Sequence, residues 1–315
     1  MPKAKIILDV DTGVDDALAI YYALRHPDVD LVALTCVFGN TDVEIATANT
    51  LRILELAGHP EVPVAMGAGK SLLYPYTREA DYVHGTNGLG EVALPEPAIA
   101  PVAEHAADLI IRLVKENPGE ITLCPVGPMT NVGLALAKAP EIAPLIREIV
   151  VMGSTLQHPG IHGVARPMVD ANIHNDPEAA HIMMCSGAPI TLVGMDVTMQ
   201  TLMSRDMMAD ITANGTPAGA KLMEIADFYV RSYEAMHPGI SGCPLHDPLA
   251  VAVCHDPSLV TLETMRVDIE LSGPLTRGQC IPDRRPMGLA RANCKVATGV
   301  DKARFEALFH EVMRS

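Results

Sequence analysis

The stretch IILDVDTGVDDALAI, residues 6–20, passes from an apolar run into a helical pattern through four aspartates. The apolar run has the length and β-branched content of a short strand, and the segment after it has apolar residues at helical spacing. Asp9, Asp11, Asp15 and Asp16 fall within eight residues. Like charges this close repel one another, so something must compensate for them. The stretch therefore predicts a first strand and a first helix whose junction carries a charged site.

The alternation of strand-like and helix-like segments continues through the first two-thirds of the chain. Continuously apolar strands, such as residues 120–127, are typical of a parallel sheet that helices cover on both faces. Residues 204–255 are predicted as several helices, residues 265–273 as a late strand and residues 302–313 as a terminal helix. We therefore expect one α/β domain, 1–315, with a mostly parallel, Rossmann-like central sheet and a helical insertion in the C-terminal third.

The composition excludes several classes of protein. The chain has 315 residues and a net charge of −15, and only 3% of its residues are aromatic, which argues against binding to nucleic acid or to anionic membranes. No apolar run reaches the ~20 residues of a membrane span. The N-terminus lacks the pattern of a signal peptide, so we expect a cytoplasmic protein. Seven scattered cysteines without a CxxC pair argue against a disulfide framework and against a zinc site.

Unusual polar residues follow the strands of the predicted sheet. Ligands in open α/β sheets bind outside the carboxyl ends of the strands. Asp11 follows the first strand, Asn40 follows the second, and Met152 ends a later one. Carboxylates are the ligands that Ca²⁺ and Mg²⁺ prefer, and Asp11 and Asp16 would reach one such ion while Asp15 faces another direction. The alternative is a helix N-terminus rich in capping carboxylates, which explains one or two aspartates better than four.

Two further segments carry candidate residues. His246 and Asp247 precede a proline and an apolar run, so they are predicted to begin a buried helix; the alternative is an ordinary N-cap aspartate followed by proline. His84 lies among glycines and is predicted to sit on a mobile loop that closes over a ligand. The alternative for His84 is an ordinary surface residue.

Taken together, these segments resemble the inosine–uridine-preferring nucleoside hydrolases. The resemblance covers nearly the whole chain, and the aspartate-rich start with a late His-Asp-Pro is its most specific part. The matching segments, in order, are DVDTGVDDALAI, VFGN, CPVGPMTN, VVMGS, ANIHNDPEAAHI, GMDVT, HDPLAVA and VDIELSGPLTRG. The resemblance implies a calcium-dependent enzyme that hydrolyses the N-glycosidic bond of purine or pyrimidine ribonucleosides, and it suggests a homodimer or homotetramer.

The resemblance also implies the roles of individual residues. Asp11, Asp16, Asp247 and the backbone carbonyl of Val126 would bind Ca²⁺. A water on the ion would be the nucleophile, and Asp11 would be its general base. His246 would protonate the leaving base. The implied substrate-binding residues are Asp15, Asn40, His84, Met152, Asp170, Asn172, Tyr229 and Tyr233. The reaction passes through a cation-like sugar, which a carboxylate-rich floor would stabilise.

One stretch departs from the family pattern. Members commonly have an asparagine, a glutamate and a phenylalanine where this chain has Val164, Asp170 and Ala171. In the family, the first two of these grip the ribose 5′-hydroxyl. The hypothesis that follows is an altered or more open 5′ pocket, suited to a modified ribosyl group.

Two other functions compete with the hydrolase. The segment DVDTGV also fits the start of haloacid-dehalogenase-type magnesium phosphatases, in which the first aspartate, here Asp9, would attack phosphorus. A family member with an altered sugar pocket would alternatively bind a nucleoside without cleaving it. Because Asp11, Asp16, His246 and Asp247 are all present, the sequence favours a catalytic site.

Overall fold

The computed structural model describes residues 2–156, 167–285 and 291–315. The strands within these residues are β1 (Ala4–Val10), β2 (Val29–Cys36), β3 (Val64–Met66), β4 (Ile121–Pro125), β5 (Glu148–Met152), β6 (Ile190–Val193), β7 (Leu202–Met203), β8 (Cys243–Pro244), β9 (Val260–Met265), β10 (Val267–Ile269), β11 (Cys280–Pro282) and β12 (Cys294–Val300). The α-helices are α1 (Val14–Arg25), α2 (Val43–Ala57), α3 (Asp81–His84), α4 (Ala106–Glu116), α5 (Thr130–Lys138), α6 (Ala171–Asn175), α7 (Pro177–Cys185), α8 (Met195–Thr198), α9 (Arg205–Asn214), α10 (Pro217–Met236), α11 (His246–His255) and α12 (Lys302–Arg314).

The main sheet has eight strands within the described residues, in the order β3-β2-β1-β4-β5-β6-β12-β9. Neighbouring strands are parallel up to β12, and the edge strand β9 runs antiparallel to it. The predicted α/β fold with a mostly parallel central sheet is therefore confirmed. Strands β1, β4 and β6 are almost wholly buried because helices cover both faces, which is why they are continuously apolar in sequence.

The two faces of the sheet have separate apolar cores. Leu8 and Val150 point into one core, together with Leu249 of α11, while Ile7 and Ile149 point into the other. Successive strand residues alternate between faces, so neighbouring side chains contribute to different cores. Helices α1, α10 and α11 pack on the first face, and α4, α5, α6 and α7 pack on the second. The carboxyl ends of the strands thus emerge between helices from both sides.

The C-terminal third contains the predicted helices and differs from expectation in its strands. Residues 204–255 contain α9, α10 and α11. The predicted strand 265–273 is wrong as a single element, because β9 joins the main sheet whereas β10 pairs with β11 in a separate two-stranded sheet. Strand β12 was not predicted, because Lys295 and Gly299 interrupt its apolar pattern.

A smaller prediction concerns the second helix. The sequence TDVE suggests a capping box between Thr41 and Glu44, but α2 begins at Val43 with Asp42 as its N-cap, so the predicted box is wrong. Its other end follows expectation, because Gly58 adopts the left-handed conformation that glycine permits there. No helix in the described ranges has the length and apolar character needed to cross a bilayer.

Candidate active site

A cavity opens at the carboxyl edge of the main sheet, where sequence reasoning places the site. The turn after β1 and the start of α1 form its floor, and residues after β2, β4, β5 and β6 line it. It contains the predicted residues Asp15, Asn40, His84, Val126, Met152, Asp170, Asn172, Tyr229, Tyr233, His246 and Asp247. The fold therefore gathers residues from distant parts of the sequence on one rim.

The first turn of α1 fixes two of the four opening aspartates. Asp16 accepts hydrogen bonds from the backbone N–H groups of Asp11 and Gly13, at 3.1 and 2.9 Å. Asn40 binds Asp11 through its backbone N–H at 2.7 Å and through Nδ2 at 3.1 Å, and the same amide reaches Asp16 at 3.0 Å. Both carboxylates are fully buried, so these donors hold them in one orientation.

Three carboxylates meet at the floor of the cavity. Asp15, Asp16 and Asp247 are buried, and each offers an oxygen within 4.8 Å of the others. Oδ1 of Asp15 is buried and accepts no hydrogen bond, although buried carboxylate oxygens normally have a partner. Hard oxygen donors in this arrangement suit a divalent cation such as Ca²⁺ or Mg²⁺. The cluster holds Asp15, whereas the resemblance implies Asp11 beside Asp16 and Asp247.

The electrostatics of the floor also suit a cation. Burial, followed by repulsion from Asp15, raises the pKa of Asp16 to about 7. The same two causes raise the pKa of Asp247 well above its usual value, and burial with repulsion from Asp16 does so for Asp11. Carboxylates in this situation take up either protons or a metal ion, since their negative charges are not tolerated uncompensated in the interior. The residues present therefore fit a bound divalent cation.

The four aspartates differ in position. Asp9 points away from the cavity and accepts hydrogen bonds from Thr35 and Asn131, at 2.5 and 2.8 Å. Burial raises its pKa to about 7. Asp247 lies inside α11, whose N-cap is Leu245, so the alternative of an ordinary N-cap aspartate does not hold.

Helices α10 and α11 form an aromatic wall on one side of the floor. Tyr229 donates to Asp15 at 3.0 Å, and its ring lies 4.8 Å from that of Tyr233. His246 is hydrogen-bonded through Nε2 to the Tyr233 hydroxyl at 2.8 Å and through Nδ1 to the Thr198 hydroxyl at 2.6 Å. Burial lowers the pKa of His246 to about 4, so its imidazole is neutral near pH 7.

His84 is a structural part of the cavity. It ends the four-residue helix α3 and is buried, so the alternative of an ordinary surface residue does not hold, and the segment is a short helix where a loop was predicted. Its Nδ1 accepts a hydrogen bond from the backbone N–H of Val14 at 3.1 Å and lies 3.8 Å from Oδ1 of Asp15. Because Nδ1 accepts a hydrogen bond, the imidazole is neutral and carries its proton on Nε2.

The opposite wall comes from the other face of the sheet. Asn172, near the start of α6, donates from Nδ2 to the backbone carbonyls of Val126 at 2.6 Å and of Met152 at 3.1 Å. These bonds tie α6 to the ends of β4 and β5. They also bring Asn172 and the Val126 carbonyl, both predicted as site residues, to the same point of the floor.

The carboxylate of Asp170 accepts hydrogen bonds from backbone N–H groups. Its Oδ1 accepts from the N–H groups of Asn172 and Ile173, at 3.0 and 3.1 Å, and its Oδ2 accepts from Ser154 at 2.7 Å. It is the N-cap of α6, and burial raises its pKa to about 6. Ala171 beside it is exposed to the cavity. Val164 lies outside the described residues.

Sequence reasoning missed several residues that line the cavity or bind its lining residues. Thr198 is bonded to His246, which lies 48 positions away, and no local pattern signals such a contact. Thr77, Glu79 and Asn175 line the side near α6. The first two follow a proline-containing segment without a helical or strand period, so their position depends on tertiary packing.

The chain matches known proteins over nearly its whole length. The family model described as inosine-uridine preferring nucleoside hydrolase matches residues 6–307. A protein of that name from Leishmania major is 38% identical, covering 98% of this chain and 96% of the relative. The pyrimidine-specific ribonucleoside hydrolase RihA from Shewanella baltica is 39% identical with the same two coverages. The solved structure of a purine-preferring ribonucleoside hydrolase from Gardnerella vaginalis is 42% identical, with a TM-score of 0.93 and 98% coverage of both chains.

Proposed function

This chain belongs to the inosine-uridine preferring nucleoside hydrolases and is a ribonucleoside hydrolase that acts on the N-glycosidic bond, and from this premise we propose that Ca²⁺ and the residues of the cavity floor carry the reaction. The observation that supports the proposal is the buried carboxylate cluster of Asp15, Asp16 and Asp247 beneath an aromatic wall. The family match leaves the phosphatase alternative without support.

We propose that the ligands of the ion are Asp11, Asp16, Asp247 and the carbonyl of Val126. Asp15 lies close enough to be a ligand, but Tyr229 holds its Oδ2 and His84 lies beside its Oδ1. Both contacts turn Asp15 toward α3 and α10, where a substrate hydroxyl would meet it.

When bound, Ca²⁺ would supply a positive charge that orients the sugar hydroxyls and the attacking water and lowers the pKa of that water. Ca²⁺ is a weak Lewis acid, so a protein base is also required. Asp11 is proposed to accept the proton of the attacking water. Such general-base assistance typically contributes ~10²–10⁴-fold to a rate.

The remaining residues position the sugar and the leaving base. Asp15, Asn40 and Asn172 are proposed to hydrogen-bond the 2′- and 3′-hydroxyls, with Met152 and Asp170 on the far side of the sugar. The negative floor stabilises the positive charge that develops on the ribose as the glycosidic bond breaks.

His246, Tyr233 and Tyr229 are proposed to face the leaving base. The imidazole of His246 is neutral and bonded at both nitrogens. It would relay a proton, because one ring nitrogen takes a proton from the hydroxyl of Tyr233 or Thr198 as the other gives its proton to the leaving base, and the hydroxyl regains a proton from solvent. This route keeps the charge on His246 transient in a buried site. His84 closes the side next to Asp15.

The experiment measures reducing sugar released from inosine, adenosine, uridine and cytidine, with Ca²⁺ and then with excess chelator. We expect release that the chelator abolishes and Ca²⁺ restores. Asp247→Asn should lower kcat/KM at least a hundredfold, whereas Asp206→Asn, an exposed aspartate in the first turn of α9, should not change it. Chelator-resistant release would overturn the metal assignment, and tight nucleoside binding without release would favour the binding-only alternative.

The proposal also covers assembly and location. We propose a single domain over residues 1–315 that forms a homodimer or homotetramer in the cytoplasm. Light scattering coupled to gel filtration measures the assembly, and a monomer at micromolar concentration would contradict it. The proposed partner is a small ribonucleoside, with neither nucleic acid nor membrane, as the net charge of −15 favours.

A further inference from the structure

A second cavity adjoins the proposed active site. It has a volume of about 340 Å³, and its wall includes Phe38, Tyr74, Pro75, Pro177 and Arg277. Thr77, Glu79 and Asn175 line both cavities. Two of these three shared residues, Thr77 and Glu79, are exposed, and so is Ala171 on the active-site side. Among the residues that the structure describes, the boundary between the two cavities therefore consists of two exposed side chains and one half-buried one, and we call this boundary the passage.

The second cavity is a built feature of the fold. The Tyr76 hydroxyl donates to the carbonyl of Gly39 at 2.7 Å, and its ring lies 5.0 Å from that of Phe38. The backbone N–H of Leu72 donates to Asp176 at 3.0 Å. These contacts attach the segment around residues 71–77 to the end of β2 and to the start of α7, so the cavity wall has a fixed position.

The stereochemistry of a ribonucleoside determines which end of the substrate faces this passage. The 2′- and 3′-hydroxyls lie on one face of the ribose, while the base and the 5′ carbon lie on the other face at opposite ends of the ring. If the diol lies on the carboxylate floor and the base against His246 and Tyr233, the 5′ carbon points to the opposite wall. That wall is Asp170 and Ala171, and Asn175, which lines both cavities, follows Ala171 by one turn in α6.

The described residues of this wall, Asp170 and Ala171, offer little to a free 5′-hydroxyl. Three backbone N–H groups occupy three of the roughly four acceptor positions of the Asp170 carboxylate. Ala171 presents only a methyl group. A 5′ substituent would extend past both residues instead of ending at them.

The second cavity favours an uncharged substituent. Its lining holds three aromatic rings and two prolines, alongside the polar side chains of Ser71, Thr77, Glu79, His174, Asn175 and Arg277. Arg277 is the one guanidinium or ammonium group among its described lining residues, and both of its terminal nitrogens are engaged, one with Glu178 at 2.6 Å and one with the carbonyl of Leu271 at 2.6 Å. Its guanidinium also lies over the ring of Tyr74 at 4.8 Å. Glu79 at the passage would repel a phosphate.

We propose that the enzyme accepts ribonucleosides that carry an apolar 5′ substituent, which passes Ala171 and occupies the cavity beside Tyr74 and Arg277. The inference rests on the proposed function, because it takes the position of the ribose from the carboxylate floor. Ala171 is a specificity residue in this proposal, since a large side chain there would close the passage.

The test compares three substrates that share one nucleobase, namely inosine, 5′-deoxy-5′-methylthioinosine and inosine 5′-monophosphate. The same series is then measured with uridine and its corresponding 5′ derivatives. We expect kcat/KM for the methylthio compound to be within tenfold of the parent, and kcat/KM for the monophosphate to be more than a hundredfold lower. Hydrolysis of the parent with a methylthio value more than tenfold lower would overturn the inference and leave the proposed function intact. If neither the parent nucleoside nor the methylthio compound were hydrolysed, both the inference and the proposed function would be overturned.

A variant of Ala171 tests whether the 5′ substituent passes this residue. Ala171→Phe should lower the ratio of kcat/KM for the methylthio compound to that for the parent at least tenfold. Ala303→Phe, at an exposed alanine in the first turn of α12, is the matched control and should leave the ratio unchanged. An unchanged ratio in a folded Ala171→Phe protein would contradict the proposed path. If that variant does not fold, the wild-type substrate comparison alone decides.

Discussion

The hydroxyl of Tyr229 donates a hydrogen bond of 3.0 Å to Oδ2 of Asp15, although the two residues lie 214 positions apart. The bond joins the aromatic wall to the carboxylate floor. It uses one oxygen of Asp15 and leaves Oδ1 beside His84 without a hydrogen-bond donor. The orientation of Asp15 therefore depends on a helix from the far end of the chain.

Tyr229→Phe should lower kcat/KM about tenfold. The buried carboxylate of Asp15 loses its hydroxyl donor, and a buried acceptor without a partner costs ~1–3 kcal/mol, which corresponds to roughly 5-fold to 150-fold. Steady-state kinetics measures the effect. Tyr21→Phe is the control, because Tyr21 is also buried and bonded to a threonine, Thr216, but lies outside the cavity. If Tyr229→Phe and Tyr21→Phe changed kcat/KM equally, the hydrogen bond from Tyr229 to Asp15 would have no specific role in the reaction.

Ca²⁺ should raise the melting temperature of the wild-type protein. A ligand at a hundred times its Kd stabilises the folded state by ~2.7 kcal/mol, and neutralising the buried carboxylates supplies the affinity. Calorimetry with chelator and with Ca²⁺ measures the shift. In Asp16→Asn the shift should be lost, whereas Asp15→Asn should keep most of it and instead raise KM. A shift lost in Asp15→Asn and retained in Asp11→Asn would reassign the ligands to the Asp15 cluster.

Asp170→Ala should destabilise the protein by about 3 kcal/mol. An N-cap contributes ~1 kcal/mol, and the buried N–H of Ser154 loses its acceptor as well, at a cost of ~1–3 kcal/mol. Urea unfolding measures the loss. Ser204→Ala removes the N-cap of α9, which accepts one backbone hydrogen bond, and should cost only ~1 kcal/mol. Similar losses in the two variants would show that the bond to Ser154 contributes nothing.

The stability that His255 contributes should fall as the pH drops from about 6.5 to about 4, while proton uptake by the buried Asp9 and Asp170, whose pKa values are raised to about 7 and about 6, acts in the opposite direction. Burial lowers the pKa of His255 to about 4, and its ring stacks on that of His26 at 3.9 Å. The unfolded chain binds a proton near pH 6.5 while the folded protein does not, so acid favours unfolding throughout this window and the effect levels off below it. Partial exposure to solvent reduces the contribution to about 2 kcal/mol.

His255→Gln tests this contribution. Urea unfolding at pH 7.5 and at pH 4.5 gives the pH dependence of the unfolding free energy for both proteins. The variant should lose less stability on acidification than the wild type, by about 2 kcal/mol. Equal changes in the two proteins would show that His255 does not contribute to the pH dependence of the unfolding free energy.

The sequence was most informative where one local pattern had few explanations. Four aspartates between a strand and a helix predict a charged site at a sheet edge, and the structure gathers Asp15, Asp16 and Asp247 there. The alternation of continuously apolar strands with helices also has few explanations, and it predicted the parallel sheet. Strand β12 was missed because its pairing with β6 and β9, and not its own pattern, makes it a strand.

Residues whose role depends on tertiary contacts were beyond sequence reasoning. The bond from Thr198 to His246 has no local signal. In the sequence, Asp170 suggests only a shortened contact to a sugar, whereas in the structure it accepts three backbone N–H groups. His84 was expected on a mobile loop because of its glycines, but packing beside Val14 buries it.

The carboxylate floor takes Asp16 from the first helix of the chain and Asp247 from the eleventh. During synthesis, the ribosome releases the first of these long before the second. A nascent chain that ends before α11 has most of its parallel strands but lacks the third carboxylate, so it has no complete cation site. Under the proposed function, capture of the ion would therefore report that α1 and α11 have folded together, and a product truncated before α11 would be inactive.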